Sequence, residues 1–211
     1  MGHDWLLVET LGSEPAVVAR GRELAELVPI RSVLRRSPDL AAIQTAITET
    51  VASGTSLASI NSKGSRVICT EPVRMTDGTV HGVNVWVGPK DTEPPERAMP
   101  GPLIWNLTTG LATDTAHSLL NSGLDPDTDT SRSRAFADDL PDRNLSPLEA
   151  RALARAGEAT PGTTYCNVWN VADQEGKPIS VGFVVRVNLE RVEGGAEHRI
   201  ARAMNWRAST P

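Results

Sequence analysis

The feature that most constrains this chain is a weak internal duplication, with one plan of elements recurring at an offset near 100 residues. Each half opens strand-turn-strand, passes through helices and closes on two long strands joined by a tight turn. Each copy must bury its own hydrophobic face, so the duplication calls for two cores rather than one. The first half opens with Trp5 to Gly12, turns at Ser13-Glu14-Pro15 and continues through Ala16-Val17-Val18-Ala19. The second opens with Leu103 to Gly110, which sets Trp105 against Trp5.

The closing hairpins carry the clearest signal. Val67 to Met75, the turn Thr76-Asp77-Gly78 and Thr79 to Val87 form the first; Asp-Gly favours the turn because glycine reaches positive φ at little cost. Thr164 to Ala172, the turn Asp173-Gln174-Glu175-Gly176 and Pro178 to Asn188 form the second. Val83, Val85 and Val87 alternate along one strand as Phe183, Val185 and Val187 do along the other, and Gly82 matches Gly182. Alternation of period two means one buried face. Pro72 inside a strand requires an edge or a bulge.

Helix signals fall between the hairpins. Ser37 and Pro38 suit the cap and first position of a helix carrying Leu40, Ile43, Ile47 and Val51, ended by Gly54. Ser146-Pro147-Leu148-Glu149 is a capping box that starts a helix through Ala156. Shorter helices are predicted over Arg22 to Leu27, Ala116 to Asn121 and Glu197 to Trp206. Gly123 to Arg143 is polar and acidic, and is read as a long loop. The predicted organisation is α+β: residues 1–88 as an N-terminal domain, 89–102 as a Pro-rich linker, and 103–211 as a second domain with a C-terminal tail helix. The order hairpin, helices, hairpin is that of a PAS unit, with the GAF unit a close relative.

Charge and composition exclude several roles. The net charge of -5 argues against a nucleic-acid binder, and the cluster Arg31, Arg35 and Arg36 reads as a solvated helix face. No secretory signal and no membrane-spanning apolar run is present, and Leu6 breaks a myristoylation motif, so a soluble cytoplasmic protein is expected. Cys69 and Cys166 then read as reduced core thiols, and the sequon at Asn106-Leu107-Thr108 carries no meaning.

Metal and catalytic motifs fail one by one. Asp125-Pro126-Asp127-Thr128-Asp129 begins like a calcium loop, but Thr130 and Phe136 stand where glycine and glutamate are needed. His3, His81, His117 and His198 lie at no metal-ligand spacing, although His81 could face a pocket. Trp86, Trp105 and Trp169 fall on strands, where core packing competes with a pocket-lining role, and Trp206 reads as a partner-docking residue. Phosphate-loop, dinucleotide and nucleophile-elbow motifs are missing, so no catalytic residue, metal ligand or cofactor is assigned and no enzyme is expected.

The stretch from His3-Asp4-Trp5-Leu6-Leu7-Val8-Glu9-Thr10-Leu11-Gly12 to Val33-Leu34-Arg35-Arg36-Ser37 resembles the opening of a mycobacterial family of sensor-domain-only proteins. Those proteins join tandem GAF and PAS domains in a three-domain chain without an output enzyme, and the resemblance covers the first two. It implies a non-enzymatic protein that binds a small ligand or relays a signal, with a signalling protein or a second copy as partner. The alternative is an interaction scaffold without a small-molecule ligand. The family supplies no ligand-binding residue that could be carried over, and the third domain has no counterpart in this sequence.

Overall fold

A computed structural model of the chain describes residues 4–127, 132–135 and 160–209, the stretch 132–135 by its backbone alone. It contains two compact units, residues 1–99 and 100–211. The first holds β1 (Leu6–Glu9), β2 (Ala16–Arg20), β3 (Glu23–Pro29), α1 (Ile30–Val33), α2 (Leu40–Ser53), β4 (Leu57–Ile60), β5 (Arg66–Arg74) and β6 (Val80–Pro89). The second holds β7 (Gly101–Asn106), β8 (Leu111–Asp114), α3 (Ala116–Asn121), β9 (Arg132–Ala135), β10 (Thr164–Ala172), β11 (Pro178–Arg191) and β12 (Glu197–Arg207). Each unit is an antiparallel six-stranded sheet with few helices, an α+β fold dominated by strands.

The sheets share one topology. Their orders are β3-β2-β1-β6-β5-β4 and β10-β11-β12-β7-β8-β9, so in each unit the first strand lies at the centre beside the last. The duplication is therefore present, but its register is not the one read from sequence. β5 and β6 correspond to β11 and β12, whereas the matched valines and Gly82/Gly182 pair β6 with β11. Period-two alternation beside a glycine turn recurs in every hairpin, so one hairpin matches another that is not its counterpart. Trp5 and Trp105 are not equivalent either: Trp5 precedes β1, while Trp105 is the penultimate residue of β7.

In the first unit α2 packs on one sheet face. Ile43, Ala46 and Ile47 meet Leu6, Val8, Val17, Ile68, Val83 and Val85 in a core that is aliphatic throughout. Buried between helix and sheet, Thr50 and Thr70 share a hydroxyl hydrogen bond of 2.6 Å. The helix ends as expected at Gly54, whose φ of 64° suits glycine. It begins later than Ser37 and Pro38 predict. Asp39 is the N-cap residue, but its side chain caps nothing. Its carboxylate instead accepts from Asn61 Nδ2 at 3.0 Å and pairs with Arg66 at 3.7 Å, tying the helix start to the β4–β5 turn.

Two predicted helices are strands. Arg22 to Leu27 lies mostly in β3, where backbone pairing with β2 overrides the helix propensity of Glu, Leu and Ala. Glu26 and Leu27 take φ of 47° and 57° there, a local distortion of an edge strand. Glu197 to Trp206 forms β12, held between β11 and β7 in the middle of its sheet. Its Ile200, Met204 and Trp206 share one face by period-two alternation, a strand signature that Arg202 on the same face interrupts. The Ala116–Asn121 helix forms as α3, with Thr115 and Ser118 in a capping box. The Ser146–Ala156 helix lies outside the described residues.

Pro72 meets its requirement by position. β4 pairs with β5 only through Val67 to Thr70, so β5 is an edge at Pro72, and a bulge follows at Val73/Arg74. The segment after β6 is not a free tether. Trp5 Nε1 donates to the Pro95 carbonyl at 2.8 Å, and Arg97 lies over the Trp5 ring, 5.6 Å from its centroid, while ion-pairing with Glu71. Gly101 and Pro102, read as linker, already belong to β7.

Candidate functional site

The site is built on β10. Alternation sends Tyr165, Asn167, Trp169 and Val171 to one face of the sheet. Pairing sets Tyr165 opposite Val185 and Asn167 opposite Phe183 on β11, and sets Val185 and Val187 opposite Ala203 and Ala201 on β12. Those alanines lie in turn opposite Leu103 and Trp105 of β7. One face thus carries aromatic rings toward both sides, with small residues between them, and these residues form a single buried cluster.

The rings are in close contact. Phe183 lies 3.9 Å from Trp169 and 5.4 Å from Tyr165 between ring centroids, tilted by 52° and 39°. Asn167 Nδ2 donates to the Tyr165 hydroxyl oxygen at 2.8 Å, and Asn167 Oδ1 accepts from the Val168 N–H. Trp169 is 8% exposed, and its indole N–H is buried without an acceptor among the described residues. An apolar wall with a few oriented polar groups is the usual composition of a small-molecule site.

The α3 end of the same face is closed by a saturated polar network. Asn205 Nδ2 donates to the Ser118 carbonyl at 2.9 Å and to Ser122 Oγ at 3.1 Å, while Asn121 Nδ2 donates to Asn205 Oδ1 at 3.2 Å. Ser118 Oγ donates to Asp114 at 2.8 Å. A side chain at Gly101 would collide with the α3 backbone, so that glycine lets the helix sit directly on β7. These groups fix α3 in place, and each has its partner within the fold.

The remaining sequence candidates disperse. Trp86 and Trp206 are fully buried, which corrects the reading of Trp206 as a partner-docking residue: its ring covers Gly182 on the neighbouring strand. Trp86 covers Gly88, and its ring centroid lies 6.5 Å from that of Trp5 at a tilt of 41°. His81 is buried at a bulge of β6, His117 is exposed, and His198 Nδ1 is 2.9 Å from Asn106 Nδ2. His3 lies outside the described residues. Cys69 and Cys166 are half-buried, in separate sheets and in no disulfide, and desolvation raises the Cys69 thiol pKa. Arg31, Arg35 and Arg36 are exposed, and Arg31 pairs with Glu14 at 2.7 Å. Asp125 accepts from the Asp127 N–H in a turn; Asp129, Thr130 and Phe136 lie outside the described residues. Among the described residues no group of three or more metal-capable side chains forms, and no helix is long and apolar enough to cross a membrane.

Sequence reading did not single out Tyr165 or the Arg97 clasp. Tyr165 is the sole tyrosine of the chain and shares the parity of Trp169, which could have marked it. Arg97 stands in a Pro-rich stretch with no period, and no local signal points to Trp5.

Comparison with known proteins agrees with the two-unit division. Residues 4–96 match the family model described as Rv3651-like, N-terminal, and residues 99–208 match Rv3651-like, middle domain. A crystal structure of a putative uncharacterized protein from Mycobacterium tuberculosis is 60% identical with a TM-score of 0.95, covering 100% of this chain, which spans 65% of that one. A sensory box histidine kinase/response regulator from Burkholderia thailandensis E264 matches 51% of this chain and 76% of its own at 20% identity and a TM-score of 0.32. The E. coli DhaR(N)-DhaL complex matches 97% and 79% at 12% identity and 0.30. The search of curated proteins found no match. The chain belongs to the Rv3651-like family, of which it carries the N-terminal and middle domains.

Proposed function

We propose that this protein is a non-enzymatic sensor in which the second unit binds a small molecule on its aromatic sheet face. The observation that carries this reading is the wall of Tyr165, Trp169 and Phe183, with a buried indole N–H that finds no acceptor among the described residues. The wall offers rings and neutral donors, the materials of recognition rather than of proton transfer. The first unit, with its aliphatic core and the Thr50–Thr70 bond, serves as a rigid companion. Both units are read as PAS/GAF-like, because each sets its first strand beside its last and carries helices on a sheet face. Occupancy shifts the protein between states only through differential affinity, and the change passes to a signalling protein or a second copy.

The test is thermal unfolding of the full chain with fractionated bacterial metabolite extract. A ligand at about 100 times its Kd adds about 2.7 kcal/mol of stability, a rise of several degrees. At least one fraction is expected to raise Tm; no rise with any fraction would reject ligand sensing.

A further inference from the structure

Resting on the sensory reading above, we propose a ligand class for the second unit: an uncharged, largely planar apolar molecule whose oxygen accepts the Trp169 indole N–H. The first ground is the indole itself. Buried polar groups in folded proteins are nearly always hydrogen-bonded, and this one has no acceptor among the described residues.

The other unpartnered indole, that of Trp206, marks no such place. Its ring is pressed onto the Gly182 backbone, and even a Cβ built on that glycine would lie 2.7 Å from its Nε1. Trp206 is thus sealed by its own neighbouring strand, whereas Trp169 sits among rings on a face that also carries the half-buried Tyr165 hydroxyl. Asn167 already donates to the Tyr165 oxygen, which leaves the Tyr165 O–H proton to give. Tyr165 and Trp169 lie four residues apart on one strand, about 13 Å between Cα atoms. Two acceptors on one elongated molecule would meet both donors, its frame lying along the edge of the Tyr165–Phe183–Trp169 ring cluster.

Absence of net charge follows from the wall. Tyr165, Asn167, Trp169, Phe183, Val185 and Val187 include no cation, so an ionised carboxylate buried there would lose its water for two neutral donors and no balancing charge. A cationic ligand would gain from the ring faces but would leave the Trp169 N–H without an acceptor. What remains is a ketone, ester, quinone or similar oxygen on an apolar frame.

The probe is the naphthalene ketone prodan, a neutral planar fluorophore whose emission responds to polarity and to hydrogen bonding at its carbonyl. Dimethylaminonaphthalene, which lacks the ketone, is the comparator. The full chain is expected to bind prodan saturably with blue-shifted emission. Trp169→Phe keeps a ring and removes the N–H, so it is expected to weaken prodan about five- to tenfold and leave the comparator within about twofold. Should that variant fail to fold, the unmutated protein still answers: among the indole N–H signals in a nitrogen-15 spectrum, that of Trp169 is expected to move downfield with prodan. Equal effects of Trp169→Phe on both dyes, an unmoved Trp169 signal, or no saturable binding by the unmutated chain would overturn the assignment. An extract fraction that raises Tm while prodan does not bind would reject this ligand class and leave the sensory reading standing; failure of both would reject both.

Discussion

Trp206 lies over Gly182, its register partner across β11 and β12, so closely that the glycine has no room for a side chain. The first unit repeats the device within one strand, where Trp86 covers Gly88. In both units the last strand carries an indole buried flat on its sheet, and a glycine supplies the space.

This makes Gly182→Ala the sharpest packing test. The added methyl must displace a fully buried ring or the backbone, at a cost of about 1–3 kcal/mol or more. Gly64→Ala is the control: its φ of 66° strains an alanine, but the space around it is open, and about 1 kcal/mol is expected. Urea unfolding of both variants measures the difference, and equal losses would show that the Trp206 contact is slack.

The Thr50–Thr70 bond makes a second test. Thr50→Val leaves the Thr70 hydroxyl buried without its partner and is expected to cost about 1–3 kcal/mol. Adding Thr70→Val removes the orphan, so the double variant should be less destabilised than the sum of the single ones. Strict additivity in a double-mutant cycle would mean that the two hydroxyls do not act as a pair.

The clasp at Trp5 is expected to show in hydrogen exchange. Arg97→Ala removes both the ring contact and the ion pair with Glu71. Exposed pairs contribute little, and this one is half-buried, so a global loss of about 1 kcal/mol or less is expected. The backbone from 92 to 99 should exchange faster, while β1 and β6 stay protected. Unchanged exchange in 92–99 would mean that Pro95 and Trp5 suffice to hold the segment.

Cys69 gives a pH-dependent prediction. Desolvation raises its thiol pKa above 9.0, so the folded chain holds that proton more tightly than the unfolded chain does. The corresponding stability is present below the unfolded value and is lost as pH rises through the folded one. Unfolding free energy should therefore fall above about pH 9 less steeply in Cys69→Ala than in the parent. Parallel pH profiles would contradict burial of the thiol.

The strands and hairpins were legible because alternation and turn glycines are local signals. Val80 to Pro89 and Thr164 to Ala172 needed nothing from the rest of the chain. β3 and β12 were not legible, since their residues favour helix locally and become strands only because β2, β11 and β7 provide backbone partners. The register of the duplication failed for a related reason: hairpins resemble one another more than they record their place in a sheet. At the site, Trp169 and Phe183 were visible as strand residues, but their contact is a cross-strand fact. The saturated network around Asn205 joins residues 84 and 87 positions apart, a separation that no local pattern spans.

Hydrogen exchange over the whole chain, with and without a stabilising metabolite fraction, compares the two cores in a single measurement. The expected result is slower exchange in 164–172 and 181–187, with 43–50 and 68–85 unchanged. Slowing spread evenly over both units, or confined to the first, would contradict a ligand seated on the Trp169 face.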